Sequence, residues 1–316
     1  MTTTQDSRAP PRRGLTTTRA PFVESARSRG DLFIAQPYEL YDDDNQETWR
    51  RLCRAIEALW ERCACARFLD GLTRLRLDRD LIPRLDAVNA QLVPVSGFRA
   101  RAVSGYVPAF VFFDCLARRE FPTTITIRAG DRLDYLPEPD IFHDLAGHVP
   151  MHTDRVFADV LARFGDVARA AAERAATIAA PARRRSVLES NIRALARFFW
   201  FTIEFGLMRS RHGICAYGSG LLSSAGELVH AVSSPAVERV DLALEHVVDQ
   251  AFEIDRFQPL LVVVDSFESL FDEIGRLEAA LHAGRLDAVR DGSPAVGDVD
   301  LHSFAAAADA AREAAS

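Results

Sequence analysis

The sequence predicts a mainly α-helical fold with short β elements, built as one large domain. Segments of helical length with an amphipathic pattern dominate the chain, whereas β-prone runs are confined to a few residues, as in 123–128 and 260–264. No internal repeat divides it. With 316 residues, 48% of them hydrophobic, the chain has ample apolar surface for a single buried core.

The elements follow in order. Residues 1–30 are rich in Thr, Arg, Pro and Ser and carry too little apolar surface to offset ordering entropy, so they are expected to be disordered. Folding is expected to begin near Leu32. Asp42-Asp43-Asp44 stands ahead of an amphipathic segment at 47–69, where acids favour a helix N-terminus through the macrodipole. No EF-hand spacing follows, so this is capping rather than calcium binding. Helices are expected over 81–92 and 108–118, then a strand over 123–128. Two long helices are expected over 154–178 and 185–209. Tyr217-Gly218-Ser219-Gly220 reads as a turn, followed by helical stretches at 225–232 and 240–252, a strand at 260–264 and a helix at 267–282. The Ala-, Asp- and Gly-rich residues 286–316 read as a loose tail, which leaves 31–285 as the folded domain.

Bulk properties exclude several classes. A formal net charge of −7 and a pI near 5.7 give no electrostatic footprint for nucleic acid, and Arg183-Arg184-Arg185 reads as solvated surface. No run of about eighteen apolar residues occurs, so no membrane span is expected. The N-terminal residues lack the apolar centre of a secretory signal. The five cysteines are odd in number, and Cys63-Ala64-Cys65 has no second pair at zinc-ribbon spacing; reduced thiols in a cytoplasmic protein are expected.

Chemistry concentrates in the block from Asp134 to Pro150, which contains His143 and His148, and in Glu204. On a regular α-helix these histidines would lie about 140° apart. They cannot share a helical face, unlike the i, i+4 pair of an HExxH zinc protease. Gly147 and Pro150 suggest that the helix ends there, so that His148 folds back toward His143. Glu204 is the one charged residue between Arg197 and Arg209, and a carboxylate buried unpaired in that apolar run would cost several kcal/mol. Pairing with Arg197 or another arginine would satisfy it. A metal ion would as well, and two histidines with one carboxylate describe the facial triad of non-haem iron oxygenases. Ligand type alone leaves zinc open. Trp200, one turn before Glu204, would place an aromatic wall beside the ion or simply fill the core. Arg128 reads either as ion-paired or as a bidentate site for a carboxylate. His152 is close enough in sequence to support the ligands.

The block Asp134-Tyr135-Leu136-Pro137-Glu138-Pro139-Asp140-Ile141-Phe142-His143-Asp144-Leu145-Ala146-Gly147-His148-Val149-Pro150 resembles the iron-binding motif of the pterin-dependent aromatic amino acid hydroxylases, with the bacterial phenylalanine hydroxylase branch nearest. Val103-Ser104-Gly105, the stretch from Trp200 to Leu207, the stretch from Ala216 to Ser224, and Phe257-Gln258-Pro259 agree in order. The resemblance spans roughly residues 32–275. It implies the single-domain, mainly helical catalytic fold of that family, with residues 31–285 as the catalytic domain. It also implies Fe(II), a tetrahydropterin and molecular oxygen, and hydroxylation of a free aromatic amino acid, first of all L-phenylalanine to L-tyrosine. By position, His143, His148 and Glu204 match the iron ligands. Gly105, Val107, Phe112, Asp144 and Ala196 match the pterin site, with Phe199 beside it, and Phe112 would stack on the ring. Arg128, Trp200 and Ser223 match the amino acid site. The partners implied are small molecules, without nucleic acid or membrane, and a monomer is expected because no tetramerisation heptads are present.

Three positions depart from the family pattern. Phe199 stands where many relatives carry tyrosine, Ala146 replaces a bulky residue, and Leu261 occupies a position that is often aromatic. Relatives that hydroxylate phenylalanine at the meta position keep a 3-hydroxylase alternative open. Two readings of other classes are a zinc hydrolase on the same ligands and a non-catalytic helical module with an ion-paired Glu204.

Overall fold

The computed structural model describes residues 14–133 and 139–314. The expected disorder of residues 1–13 and the leading part of the histidine block, 134–138, lie outside the described residues.

In chain order the helices are α1 (Pro21–Ser28), α2 (Asp43–Cys63), α3 (Ala66–Leu75) and α4 (Leu85–Ser96), before strand β1 (Arg99–Val103), helix α5 (Ala109–Ala117) and strand β2 (Glu120–Thr124). A π turn at His143–His148 leads into the long pair α6 (Arg155–Ala176) and α7 (Pro181–Phe199), and a second π turn, Trp200–Glu204, continues α7. Then come β3 (Leu207–Ser210), β4 (Gly213–Ala216), α8 (Ser219–Leu222), α9 (Ala225–Ser233), β5 (Glu238–Asp241), α10 (Leu244–Val247), β6 (Leu260–Val264), α11 (Phe267–His282) and α12 (Asp298–Ala314). The mainly helical class with short β elements is what the sequence predicts. β1 and β2 pair in parallel, and a four-stranded sheet has the order β4-β3-β6-β5.

Helix α6 is the axis of the core. Phe157, Val160, Leu161, Phe164, Val167, Ala168, Ala171 and Ala175 form its buried stripe, against which α5, α7, α11 and α12 pack. Gly165 permits the closest approach: a Cβ there would meet the Phe113 carbonyl oxygen and the Ala117 nitrogen of α5 at 2.4 Å. The Asp42 cap forms as expected, its side chain accepting from Asn45 N at 2.9 Å. Strand β6 and helix α11 fall on their expected residues.

Elsewhere tertiary pairing overrides the local pattern. The helix expected over 47–69 breaks at Ala64 and Cys65, because Cys65 N donates to Ala216 O beside β4. The helix expected over 185–209 begins earlier, at Pro181, and gives way to the π turn and then to β3, which is claimed by β4 and β6. Residues 238–241, half of them inside an expected helix, pair with β6 instead. Strand β2 lies earlier than expected, registered on β1 by the Arg99 to Glu120 pairing.

Both expected domain limits also need correction. Residues 14–30 are not disordered: Leu15 is fully buried and bonded to Asn45, Thr17 N donates to Ile127 O, and α1 buries Val23 and Ala26. The tail is not loose either, since α12 buries Leu301, Phe304 and Ala308 against α5, α6 and α7. In both cases a sparse apolar pattern suffices because its partners are already assembled elsewhere in the chain.

Candidate metal centre and adjoining cavity

His143 and His148 lie in the first π turn, whose i→i+5 bonding is seen in Val149 N donating to Asp144 O at 3.2 Å. This wider turn, rather than a helix end, brings residues five apart onto one side. Gly147 therefore has another task than the one expected of it. A Cβ on Gly147 would meet Ser219 O at 2.9 Å and Ser223 Cβ at 3.2 Å, so its bare Cα admits α8 against the histidine turn. Pro150 leads into a short 3₁₀ turn, Met151–Thr153, rather than a chain reversal.

Glu204 ends the second π turn, closed by Phe205 N donating to Trp200 O at 2.9 Å. The two π turns face each other. His143 Nε2 and His148 Nε2 are 3.2 Å apart, Glu204 Oε1 is 3.0 Å from His148 Nε2, and Glu204 Oε2 is 3.6 Å from His143 Nε2. Donors bound to one ion at about 2.1 Å and at right angles would be about 3 Å apart, so these separations suit three neighbouring positions around a single divalent ion. Arg197 does not pair with Glu204: its guanidinium is spent on the carbonyls of Val248, Arg290 and Ser293.

The protonation states agree with that use. Burial pushes the His143 imidazole down to about 4, which leaves the ring neutral and able to ligate at pH 7. Burial raises the Glu204 carboxyl, but the His148 and His143 rings and hydrogen bonds from His148 and Ser219 outweigh it and hold the carboxyl well below its ordinary value. Asp144 also approaches both imidazoles, within 4.8 Å. Its Oδ2, however, accepts from Thr124 N at 2.6 Å, and burial raises its carboxyl to about 7, so it is the poorer third ligand.

Side chains behind the triad orient it. Ser219 Oγ donates to Glu204 Oε2 at 2.9 Å, and Ser223 Oγ lies 2.8 Å from His143 Nδ1, the ring nitrogen left over by ligation; Ser219 Oγ also lies 2.8 Å from His148 Nε2, a contact that an ion on that nitrogen would replace. Asp140, fully buried, accepts from His143 N at 2.9 Å and from Arg128 Nε and Nη2 at 2.7 and 2.9 Å. Burial raises the Asp140 carboxyl, yet the Arg128 charge and these bonds hold it below its ordinary value. His152 is buried against Phe98, Phe121, Phe157 and the His148 ring, and neither of its nitrogens has a partner among the described residues.

A cavity of about 560 Å³ opens beside the triad. Of the expected pterin residues, Val107, Phe112, Ala196 and Phe199 line it; Gly105 and Asp144 do not. The Arg27 guanidinium sits over Gly105, 2.9 Å from where a Cβ would stand. Phe199 meets Phe112 edge-on at 5.6 Å. The expected amino acid residues Arg128, Trp200 and Ser223 all line the cavity. Trp200 lies flat on Phe252, with centroids 4.1 Å apart and planes at 8°, and its Nε1 donates to Gln258 Oε1 at 3.2 Å. Ala146 is buried in the histidine turn and Leu261 in β6, and neither lines the cavity.

Sequence reasoning missed the bonding of Ser219 and Asp140, although both stand inside blocks already singled out. It also missed Phe252, Ile254, residues 294–296 and Asp300 on the cavity wall, for which no motif or spacing exists.

Comparison with known proteins places this geometry. A family model described as "Biopterin-dependent aromatic amino acid hydroxylase" matches residues 34–283. Phenylalanine-4-hydroxylase of Ralstonia nicotianae is 39% identical over 244 residues, covering 77% of this chain and 73% of the relative. The enzyme of that name from Chromobacterium violaceum is 36% identical over 279 residues, covering 88% and 89%. The crystal structure of the Chromobacterium violaceum phenylalanine hydroxylase with bound iron(III) and 7,8-dihydrobiopterin superposes with a TM-score of 0.74 at 34% identity, covering 87% of this chain and 98% of that one.

Proposed function

The chain belongs to the biopterin-dependent aromatic amino acid hydroxylases, and on that premise we propose that it is a monooxygenase converting L-phenylalanine to L-tyrosine with Fe(II) and a tetrahydropterin. The observation that carries the reading is the convergence of His143, His148 and Glu204 at the edge of a cavity large enough for both organic ligands. These three residues would hold the iron. Bound together, iron and pterin supply the oxygen-activating redox chemistry, which no side chain provides.

The remaining work is placement. Arg128 is ion-paired through Nε and Nη2 to the buried Asp140, and this fixed guanidinium, which lines the cavity, would meet the carboxylate of the amino acid. Trp200, braced flat on Phe252, presents a rigid wall for the aromatic ring. Phe112 and Phe199, with Val107 and Ala196, give the apolar surface that suits the pterin and displaces water from the reacting groups. Phe199 provides no hydroxyl there, so the pterin on this side would meet only apolar contact. Gly105 and Asp144 would contribute from behind the wall, Gly105 through the loop carrying Val107 and Asp144 through β2. Ser223 would steady His143 while facing the amino acid.

The relatives named phenylalanine-4-hydroxylase support attack at the para position over the meta alternative. Family membership likewise supports an oxygenase over a zinc hydrolase or a non-catalytic module. The partners in this reading are the amino acid, O₂ and pterin. No helix among the described residues is long and apolar enough to cross a membrane; a cytoplasmic monomer completes the reading, and sedimentation of the purified protein checks the monomer.

The test is an assay of protein loaded anaerobically with Fe(II), then given tetrahydropterin, O₂ and each of phenylalanine, tyrosine and tryptophan, with products separated by chromatography. Para-tyrosine from phenylalanine is expected, requiring both iron and pterin. His143→Ala, His148→Ala and Glu204→Ala should each lose iron and activity. Full turnover by any of the three, or a product other than para-tyrosine, overturns the assignment.

A further inference from the structure

The family match ends at residue 283, yet the chain beyond it reaches back to the cavity. Pro294, Ala295, Val296 and Asp300 all line it. This segment is tied down at both ends. On one side the buried Arg197 of α7 donates from Nε to Ser293 O at 2.9 Å and from Nη1 to Arg290 O at 2.8 Å. On the other side Asp300 Oδ1 accepts from Tyr106 Oη at 2.6 Å and from Ala109 N at 2.7 Å, and Ser303 Oγ accepts from Phe110 N at 3.2 Å. Phe304 then packs edge-on against Phe110 at 5.2 Å.

The two anchors select one half of the cavity. Arg197 stands between Ala196 and Phe199 on α7, and Tyr106 and Ala109 flank Val107 just ahead of Phe112. These four cavity residues are the ones assigned above to the pterin. The side-chain bonds that fasten the strap go to Tyr106, Ala109, Phe110 and Arg197; the one link from an anchor residue toward the amino acid side is main-chain, Arg197 O accepting from Trp200 N within the helix. Between the anchors, residues 294–299 run as a short strap whose ends cannot move independently of the pterin walls.

We propose that this C-terminal strap, residues 293–303, is a wall of the cofactor half of the cavity and determines how tightly this chain binds the pterin ring system, without setting its affinity for the amino acid. The proposal rests on the functional reading given above. Physically, a wall held by two independent sets of hydrogen bonds is preorganised, so the ordering cost is met on folding rather than on ligand binding. Asp300 also brings to the cavity a carboxylate outside the metal-facing group. It is an acceptor suited to the polar edge of a pterin.

The experiment is calorimetric titration of anaerobic Fe(II)-loaded protein with 7,8-dihydrobiopterin, which binds without turnover, and separately with L-phenylalanine. Asp300→Ala removes the acceptor for Tyr106 and Ala109 and should raise the dissociation constant for dihydrobiopterin fivefold or more, with that for phenylalanine within twofold of wild type. Ala295→Trp, at an exposed position on the cavity rim, adds bulk to the wall without touching either anchor and should do the same; it decides by the same criterion if Asp300→Ala does not fold. Dihydrobiopterin affinity within twofold of wild type, or a matching loss for phenylalanine, overturns the proposal. A wild-type protein that binds iron but takes up no dihydrobiopterin overturns instead the functional reading beneath it.

Discussion

Ser219 shows how much of the centre depends on residues that do not touch a metal. Its hydroxyl, carried on α8 where that helix packs against the histidine turn, donates to Glu204 Oε2 on the other π turn and so orients the proposed carboxylate ligand. Partners of this kind typically change metal affinity 10- to 100-fold when removed. Ser219→Ala is therefore expected to weaken Fe(II) binding by about tenfold or more while leaving the fold intact, measured by competition with a ferrous chelator alongside a thermal melt. Affinity equal to wild type would show that packing alone holds the two turns together. At this scale the sequence was informative about identity and poor about contact. Histidine and glutamate announce themselves by type and by an apolar setting, whereas a serine or Asp140 becomes significant only through what lies 3 Å away.

At the scale of elements, the two π turns decide the geometry. A regular α-helix would point His143 and His148 to different sides, and the same residues in i→i+5 bonding lie together. The second π turn sets Trp200 and Glu204 on one cavity wall. Close packing of α8 against the histidine turn holds the first in place, and Gly147 is where that packing is tightest. Gly147→Ala, a substitution that would normally favour helix, should push α8 away and carry Ser219 and Ser223 with it. Loss of most iron binding is expected, with thermal stability lowered by roughly 1–3 kcal/mol as for an overpacked core. Iron affinity unchanged by this substitution would mean that the contact can relax without cost to the ligands. The sequence marked helices and strands well where amphipathic pattern and chain neighbours agreed, as in β6 and α11. It failed at 64–65, 207–210 and 238–241, where a strand partner distant in the chain captures the backbone.

Across the whole molecule, burial determines both the termini and the response to pH. Glu227 in α9 is fully buried, and burial raises its carboxyl to about 7. Since the folded value lies above the unfolded one, the folded chain holds a proton that the unfolded chain releases. Stability from this group is thus present below the unfolded value and is lost as pH rises through about 7. Glu227→Gln cannot ionise and should escape that loss. Between pH 5 and pH 8 the wild type is expected to lose roughly 1–3 kcal/mol relative to the variant, read from urea unfolding at each pH. Parallel curves for the two proteins would remove Glu227 from the account. The same whole-molecule burial orders residues 14–30 and 298–314, whose own apolar content gave no sign of it: each contributes only a few side chains, the first segment beside Asn45 and Ile127 and the second to a core already built by α5, α6 and α7.

By itself the sequence determined the helical class, the ligand residue types, the histidine block and, through its resemblance, the family and its chemistry. These are properties of residue type and local order, carried by composition, spacing and contiguous motifs. Only the tertiary structure decided how His143 and His148 come to face Glu204, what orients them, and which distant segments close the cavity. Those depend on backbone hydrogen bonding and close packing between segments far apart in the chain, as when Arg197 and Asp300 fasten the C-terminal strap, and no local pattern of residues encodes them.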